Sequence, residues 1–325
     1  TKETLKNEMG ETVRETLFGD EDTTGNLLSK EFVLDTAENP EIRFDYDEYG
    51  NVIYEYDANG NPPTVTTYEP TTKTFPDTIT NPLGHVVGYY YDYRYGKVIE
   101  TIDANGNSTY FNYDEFGRSQ RVDHPDGGRT ITEYYDDSFP RYVITKVKED
   151  ASGSSIDKYR YIDGLGREIQ TITFGEGGKS IVTKKFYDVM GRNDLAEGPF
   201  FSTDVGYPIE PPAAYPWQQT TFDYRGRPSS IESADGEYGS AVTTSTYSGL
   251  ATTITDPDGS IKTEAKDHLG RIVEIIEHTE EGNLKTTYNY NAAGDLLQVK
   301  DHYGNTTTIN YDTLGRKISY NDPDL

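Results

Sequence analysis

The chain has 325 residues, about a third of them apolar, and a net charge of −26 with a pI near 4.5. That is well under the roughly 45–50% apolar content of ordinary globular domains. The charge repels phosphate backbones and argues against nucleic acid as a partner. The absence of cysteine excludes disulfides, thiolate catalysis and Cys-ligated zinc, and leaves the redox compartment open.

Low apolar content with high charge ordinarily signals disorder. Here 28 Tyr and 12 Phe, with plentiful Val, Ile and Thr, argue instead for pleated, half-buried surfaces. No apolar run is long enough to span a bilayer and no signal peptide is visible. Thr1 is not a natural start and the chain stops abruptly at Asp322-Pro323-Asp324-Leu325, so it reads as a piece of something longer.

Residues 1–43 carry only weak strand signals and read as a degenerate start. From 44 to 320 a repeat takes over. The pattern aromatic-x-aromatic-Asp recurs at Phe44/Tyr46/Asp47, Tyr54/Tyr56/Asp57, Tyr89/Tyr91/Asp92 and Phe111/Tyr113/Asp114. Turn glycines Gly96, Gly106, Gly117 and Gly127 are spaced 10, 11 and 10 apart, and Gly294, Gly304 and Gly315 repeat the 10 and 11. The unit is therefore about 21 residues with two turns, leaving strands of roughly six residues, the usual length.

Two turn chemistries alternate. One is Asn-Gly, at Asn59-Gly60 and Asn105-Gly106, a hairpin signal because both positions tolerate positive φ. Pro-Asp-Gly at 125–127 and 257–259 does a related job. The other is Tyr/Phe-Asp-x-x-Gly-Arg, best at Tyr113–Arg118, Tyr187–Arg192 and Tyr311–Arg316, with variants at Asp163–Arg167, Asp223–Arg227 and Asp267–Arg271. Its Arg is placed to pair with the turn Asp or stack on a neighbouring Tyr. Residues two apart in a strand face the same way, so successive tyrosines are expected to form a continuous ladder.

Two stretches break the period. Residues 150–158, rich in Ser and Gly, read as a loop. Residues 193–219 read as a longer insertion, with Gly198-Pro199, Tyr207-Pro208, Pro211-Pro212 and the single tryptophan, Trp217. Its apolar content predicts that it covers part of the sheet, with Trp217 buried against strand residues. Residues 321–325 read as a truncated end.

Chemistry is sparse. His85, His124, His268, His278 and His302 have neither metal nor triad spacing. No Gly-x-Ser-x-Gly elbow is present. Gly175–Ser180 resembles a phosphate loop, but the leading position is Thr173 rather than glycine and no helix pattern follows. Asp57-x-Asn59-Gly60, Asp103-x-Asn105-Gly106 and Asp256-x-Asp258-Gly259 resemble the opening of a calcium loop but lack its closing Glu, and hairpin turns explain the same residues. The sequence therefore assigns no catalytic, cofactor-binding or metal residues, no cofactor and no enzymatic activity. Among its 56 acidic residues, a glycosidase pair set across a cleft is the distant alternative.

Tyr-Asp-x-x-Gly-Arg, repeated in register from about Phe44 to Tyr320, resembles the YD or RHS repeat family. Tyr247–Gly259 followed by Asp267–Arg271 resembles the large secreted proteins related to insecticidal toxin complexes and, more distantly, the teneurin shells. The resemblance implies an all-β array of hairpins in a curved, spiralling single-layer sheet. It implies a hollow shell around toxin-like cargo in the parent protein, with other segments of that protein as partners and a secreted or cell-surface location. Nothing after Tyr320 matches the family's cargo-releasing motif, so no self-cleavage site and no toxin domain are assigned. The alternative is an adhesin, whose Tyr faces beside Asp and Asn would take a cell-surface glycan or receptor.

Overall fold

The computed structural model describes residues 1–6, 12–34, 39–148, 155–174, 178–236 and 239–323. Among these are 27 strands, from β1 (Lys2–Lys6) to β27 (Lys317–Asn321), and no α-helix. Each strand pairs antiparallel with the next along the whole chain, for example β9 (Lys97–Ile102) with β10 (Ser108–Tyr113) and β10 with β11 (Ser119–Asp123). The result is one open meander, a single layer with a low contact order set by its turns.

The repeat turns share one geometry. In the Asp114–Arg118 turn, Gly117 N–H donates to Asp114 O and Asp114 N–H to Arg118 O, both at 2.9 Å. The Asp103–Asn107 turn has the same pair of bonds, Gly106 to Asp103 and Asp103 to Asn107. Each is a tight turn closed by one left-handed glycine that bulges the strand, as in three-residue hairpin loops. Gly106, Gly117, Gly304 and Gly315 lie at φ of 81°, 75°, 91° and 80°. Lys73 is the only non-glycine at positive φ among the described residues, so Asn59 and Asn105 do not take left-handed angles. The Asn-Gly expectation is thereby corrected: only the glycine is left-handed, because a type I turn plus bulge leaves the Asn in an ordinary conformation.

Three strands, β1, β2 (Thr12–Phe18) and β3 (Ser29–Val33), occupy the first 43 residues and continue the meander into β4 (Glu41–Tyr46). Of the 150–158 loop, residues 150–154 lie outside the described residues, as do 175–177 of the phosphate-loop look-alike. Ile156–Lys158 already belong to β14 (Ile156–Ile162).

The 193–219 insertion is shorter than the sequence suggests. Asn193–Ser202 is strand β17 and Trp217–Phe222 is strand β18, so the irregular segment is 203–216. Gly198-Pro199 reads as a loop signal but sits inside β17. A bulge opposite Thr183 absorbs it, the register moving from Val182↔Phe200 to Lys184↔Glu197. At φ 95°, Gly198 leaves no room for a Cβ, which would lie 2.5 Å from Val182 O.

The densest core lies under this segment. Tyr161, Ile172, Val182 and Phe200 are buried together with Ile209, which comes from 203–216. Ile172 on β15 (Glu168–Phe174) pairs with Tyr159 and with Val182 on β16 (Ser180–Tyr187), so these side chains share one sheet face. A single layer cannot bury a face by itself. The irregular segment supplies the second layer.

Candidate functional site

Because the chain is a meander, alternate turns lie on opposite edges of the sheet. One edge carries the turns 57–61, 103–107 and 301–305, which close on Asn61, Asn107 and Asn305; we call it the asparagine rim. The other carries 114–118, 163–167, 188–192, 223–227, 267–271 and 312–316, all closing on Arg; this is the arginine rim.

On the arginine rim each Asp holds its turn together. Asp114 Oδ1 accepts the N–H groups of Phe116 and Arg118 at 3.0 and 2.8 Å, and Oδ2 accepts Arg118 Nε at 2.7 Å. Asp163, Asp188, Asp223 and Asp267 repeat this set. Burial pushes these carboxyls up, but the backbone and Arg donors outweigh it and leave all of them below the usual carboxylate range.

The guanidinium then reaches the next repeat. Arg118 lies 3.9 Å from the ring centre of Tyr134, Arg167 4.3 Å from Tyr187, Arg192 4.2 Å from Phe222 and Arg227 4.0 Å from Tyr247. Each tyrosine hydroxyl returns a bond to the residue just after the previous turn. Tyr134 Oη donates to Ser119 O, Tyr187 Oη to Glu168 O and Tyr247 Oη to Pro228 O. Tyr113 Oη donates to Val98 O at 2.6 Å. Both uses expected of the Arg are therefore met, by the same side chain.

The continuous tyrosine ladder is corrected. Equivalent strands in successive hairpins are two strands apart, about 9–10 Å, too far for ring contact. Arg fills the gap along most of the rim. Direct ring contacts occur between Phe75 and Tyr91, stacked at 4.9 Å, between Tyr135 and Tyr142, stacked at 4.3 Å, and onward as tilted pairs from Tyr142 to Tyr161 at 5.2 Å and from Tyr161 to Tyr207 at 5.5 Å.

On the asparagine rim the calcium-like carboxylates are engaged by donors. Asp103 Oδ1 accepts the N–H of Asn105 and Asn107, and Oδ2 accepts Asn107 Nδ2 at 3.0 Å. Asp57 is held in the same way by Asn59 and Asn61. N–H groups aimed at the oxygens serve the turn. Among the described residues no group of three or more His, Asp or Glu is placed to hold a metal ion. His278 bonds to Thr263 and Asn283, and His85 to Asn81, none of the three an acid.

Among the described residues buried polar chemistry gathers in the covered patch, apart from Glu69, whose buried carboxylate accepts the N–H groups of Thr71 and Thr72 within its own turn. Gln170 is fully buried; its Nε2 donates to Gly206 O at 2.7 Å and its Oε1 accepts Ile209 N–H at 2.9 Å. Lys184, also buried, pairs with Glu197 at 3.2 Å and Glu210 at 3.7 Å. Tyr215 Oη donates to Glu197 Oε1 at 3.1 Å, and its ring meets Phe200 edge-on. The segment 203–216 thus docks as expected, but its anchor is Ile209 at 2% exposure. Trp217 starts β18 and is half-buried, not the buried anchor the sequence suggested. The Ile209 anchor carries no sequence signal of its own beyond one apolar residue between prolines.

One hairpin type, repeated in a single open layer and tied turn to turn along one edge, defines a β-repeat wall. Comparison with known proteins agrees. The chain covers 97% of its length on the crystal structure of TcdB2-TccC3 with a TM-score of 0.78 at 14% identity, while spanning 22% of that chain. It also matches TcdB2-TccC3 without its hypervariable C-terminal region, at TM-score 0.69, 11% identity, 99% of this chain and 24% of that one. The Photorhabdus luminescens Tc holotoxin pore matches at TM-score 0.55 and 12% identity, over 98% of this chain and 19% of that one. The chain shares the fold of these structures over almost its whole length, while spanning less than a quarter of each of their chains. Residues 136–244, about a third of the chain, match a domain of unknown function, DUF6443. Among curated proteins there is no sequence match.

Proposed function

We propose that this chain is a wall segment of a hollow YD/RHS-type shell that encloses, protects or presents another part of its parent protein. The observation that carries the reading is the uninterrupted 27-strand layer, which coils until β2 meets the turn at 291–295, with Arg14 bonded to Asp295 across 281 residues. Coiling back on its own edge is what a shell wall requires, and it supports this reading. The likeness to toxin-complex chains supports this, and toxin-like cargo, a secreted or cell-surface location and a non-enzymatic role belong to the same proposal. Every arginine-rim Asp described above is committed to its own turn, which fits a mechanical part better than a catalytic one.

The test is protease protection in the parent polypeptide. An adjoining domain held inside should resist cleavage until the sheet is unfolded. Equal cleavage with the sheet folded and unfolded refutes enclosure, and specific retention on a glycan array by this chain would favour the adhesin reading.

A further inference from the structure

The two rims differ in what they show to solvent. At the third position of four arginine-rim turns stand large, exposed apolar residues, Phe116, Leu165, Met190 and Leu269, at 70%, 79%, 76% and 63% exposure; the 223–227 turn has Arg225 there and exposes Tyr224 beside it. The asparagine-rim turns carry Ala104-Asn105, Pro125-Asp126 and Pro257-Asp258 at their tips, with Leu83 and Tyr303 the exposed exceptions. An exposed apolar row along one edge of an otherwise acidic molecule asks for a partner.

Part of that row already has one. Arg14 stands near the asparagine-rim end of β2, and its Nη2 reaches Asp295 Oδ1 and Oδ2 at 3.0 and 2.9 Å. The same guanidinium packs against Gly315 in the last arginine-rim turn. There Leu314, equivalent to Leu269, is half-buried, as is Ala293 in the turn before it.

The chemistry of that turn is matched to the contact. The turns at 114–118, 163–167, 188–192, 223–227, 267–271 and 312–316 run Asp to Arg, whereas 291–295 runs Asn to Asp. Asn291 Oδ1 accepts Asp295 N–H, and Asn291 Nδ2 donates to Asp295 Oδ2. Reversing the polarity presents a carboxylate to the neighbouring coil at the place where Arg14 arrives.

We propose that the arginine rim is a docking edge for the asparagine rim of an adjoining coil of the same kind of repeat. Among the described residues the contact of β2 with 291–295 and 312–316 is its one occupied stretch, and Phe116, Leu165, Met190 and Leu269 are its unoccupied continuation. The partner is another coil presenting small and polar turn tips. The inference does not depend on what the shell encloses.

Two measurements on the 325-residue chain test it. First, Arg14→Glu should raise amide exchange in the 291–295 and 312–316 turns at least tenfold, and adding Asp295→Arg should restore it. The second change keeps the bond that closes this turn, from the backbone N–H of residue 295 to Asn291 Oδ1, so it is compatible with local folding. Exchange that ignores Arg14→Glu, or is not restored by the swap, overturns the seam.

Second, the chain has no cysteine, so single copies carrying Leu165→Cys (arginine rim) or Asn105→Cys (asparagine rim) can be mixed at high salt and linked with a short bismaleimide. Mixed-rim dimers should exceed either same-rim dimer several-fold, and Met190→Asp in the Leu165→Cys copy should remove the excess. Linking at the diffusional background, or a preference for same-rim pairs, overturns the docking edge.

Discussion

Ile209→Ala tests whether the irregular segment is a structural second layer. Ile209 is 2% exposed and packs with Tyr161, Ile172, Val182 and Phe200. Removing three carbons at about 0.8 kcal/mol each costs roughly 2.4 kcal/mol in transfer alone. A partly unrelaxed cavity raises the expected loss to about 3 kcal/mol, within the range for large-to-small core changes. In a repeat array this loss is felt locally rather than globally. The readouts are therefore segment-resolved amide exchange over β15–β17 and the rate of proteolysis within 203–216. Both should rise sharply, and Trp217, the single tryptophan, should become more open to acrylamide quenching. Phe201, 70% exposed on β17, is the control, and Phe201→Ala should change exchange by less than about 0.5 kcal/mol. If Ile209→Ala behaves like Phe201→Ala, the segment does not cover the sheet and the second-layer argument fails.

Three further outcomes are expected. Tyr113→Phe should lose about 1 kcal/mol by removing the bond to Val98 O, and Tyr113→Ala about 2–3 kcal/mol, read by exchange over β9–β11; equal effects from the two would deny the hydroxyl its role. Gly117→Ala should cost about 1–2 kcal/mol, since the residue sits at φ 75° and its Cβ would lie 2.9 Å from the Tyr95 ring, whereas a melting curve like that of the parent would refute the strained turn. In acid, the arginine-rim carboxyls have folded pKa values below the unfolded value of about 3.9, so their contribution is present above that pH and lost as pH falls through the folded values. Relief of the −26 charge acts in the opposite sense, so stability should hold down to about pH 5 and fall below about pH 4; an array whose exchange protection is unchanged at pH 2 contradicts the Asp-centred turn.

The sequence by itself determined the local geometry. Tyr-Asp-x-x-Gly-Arg every 21 or so residues specifies a turn whose bonds all lie within five residues, and a strand's two-residue period does the rest. That is why the hairpin array, the left-handed glycines and the double use of Arg118 and its equivalents were legible from residues alone. A continuous tyrosine ladder does not follow from the repeat, because ring contact depends on strand spacing, which no single repeat encodes. Gly198-Pro199 carries a loop signal and yet lies in a strand, because a bulge's tolerance for proline depends on the partner strand. What only the tertiary structure decided are contacts between residues far apart in the chain. Ile209 settles over Ile172 and Gln170 because a single-layer sheet has an apolar face that nothing in its own strands can bury. Arg14 meets Asp295 because small twists between neighbouring strands add up over more than twenty of them, and that sum, not any one turn, sets where the coil comes back upon itself.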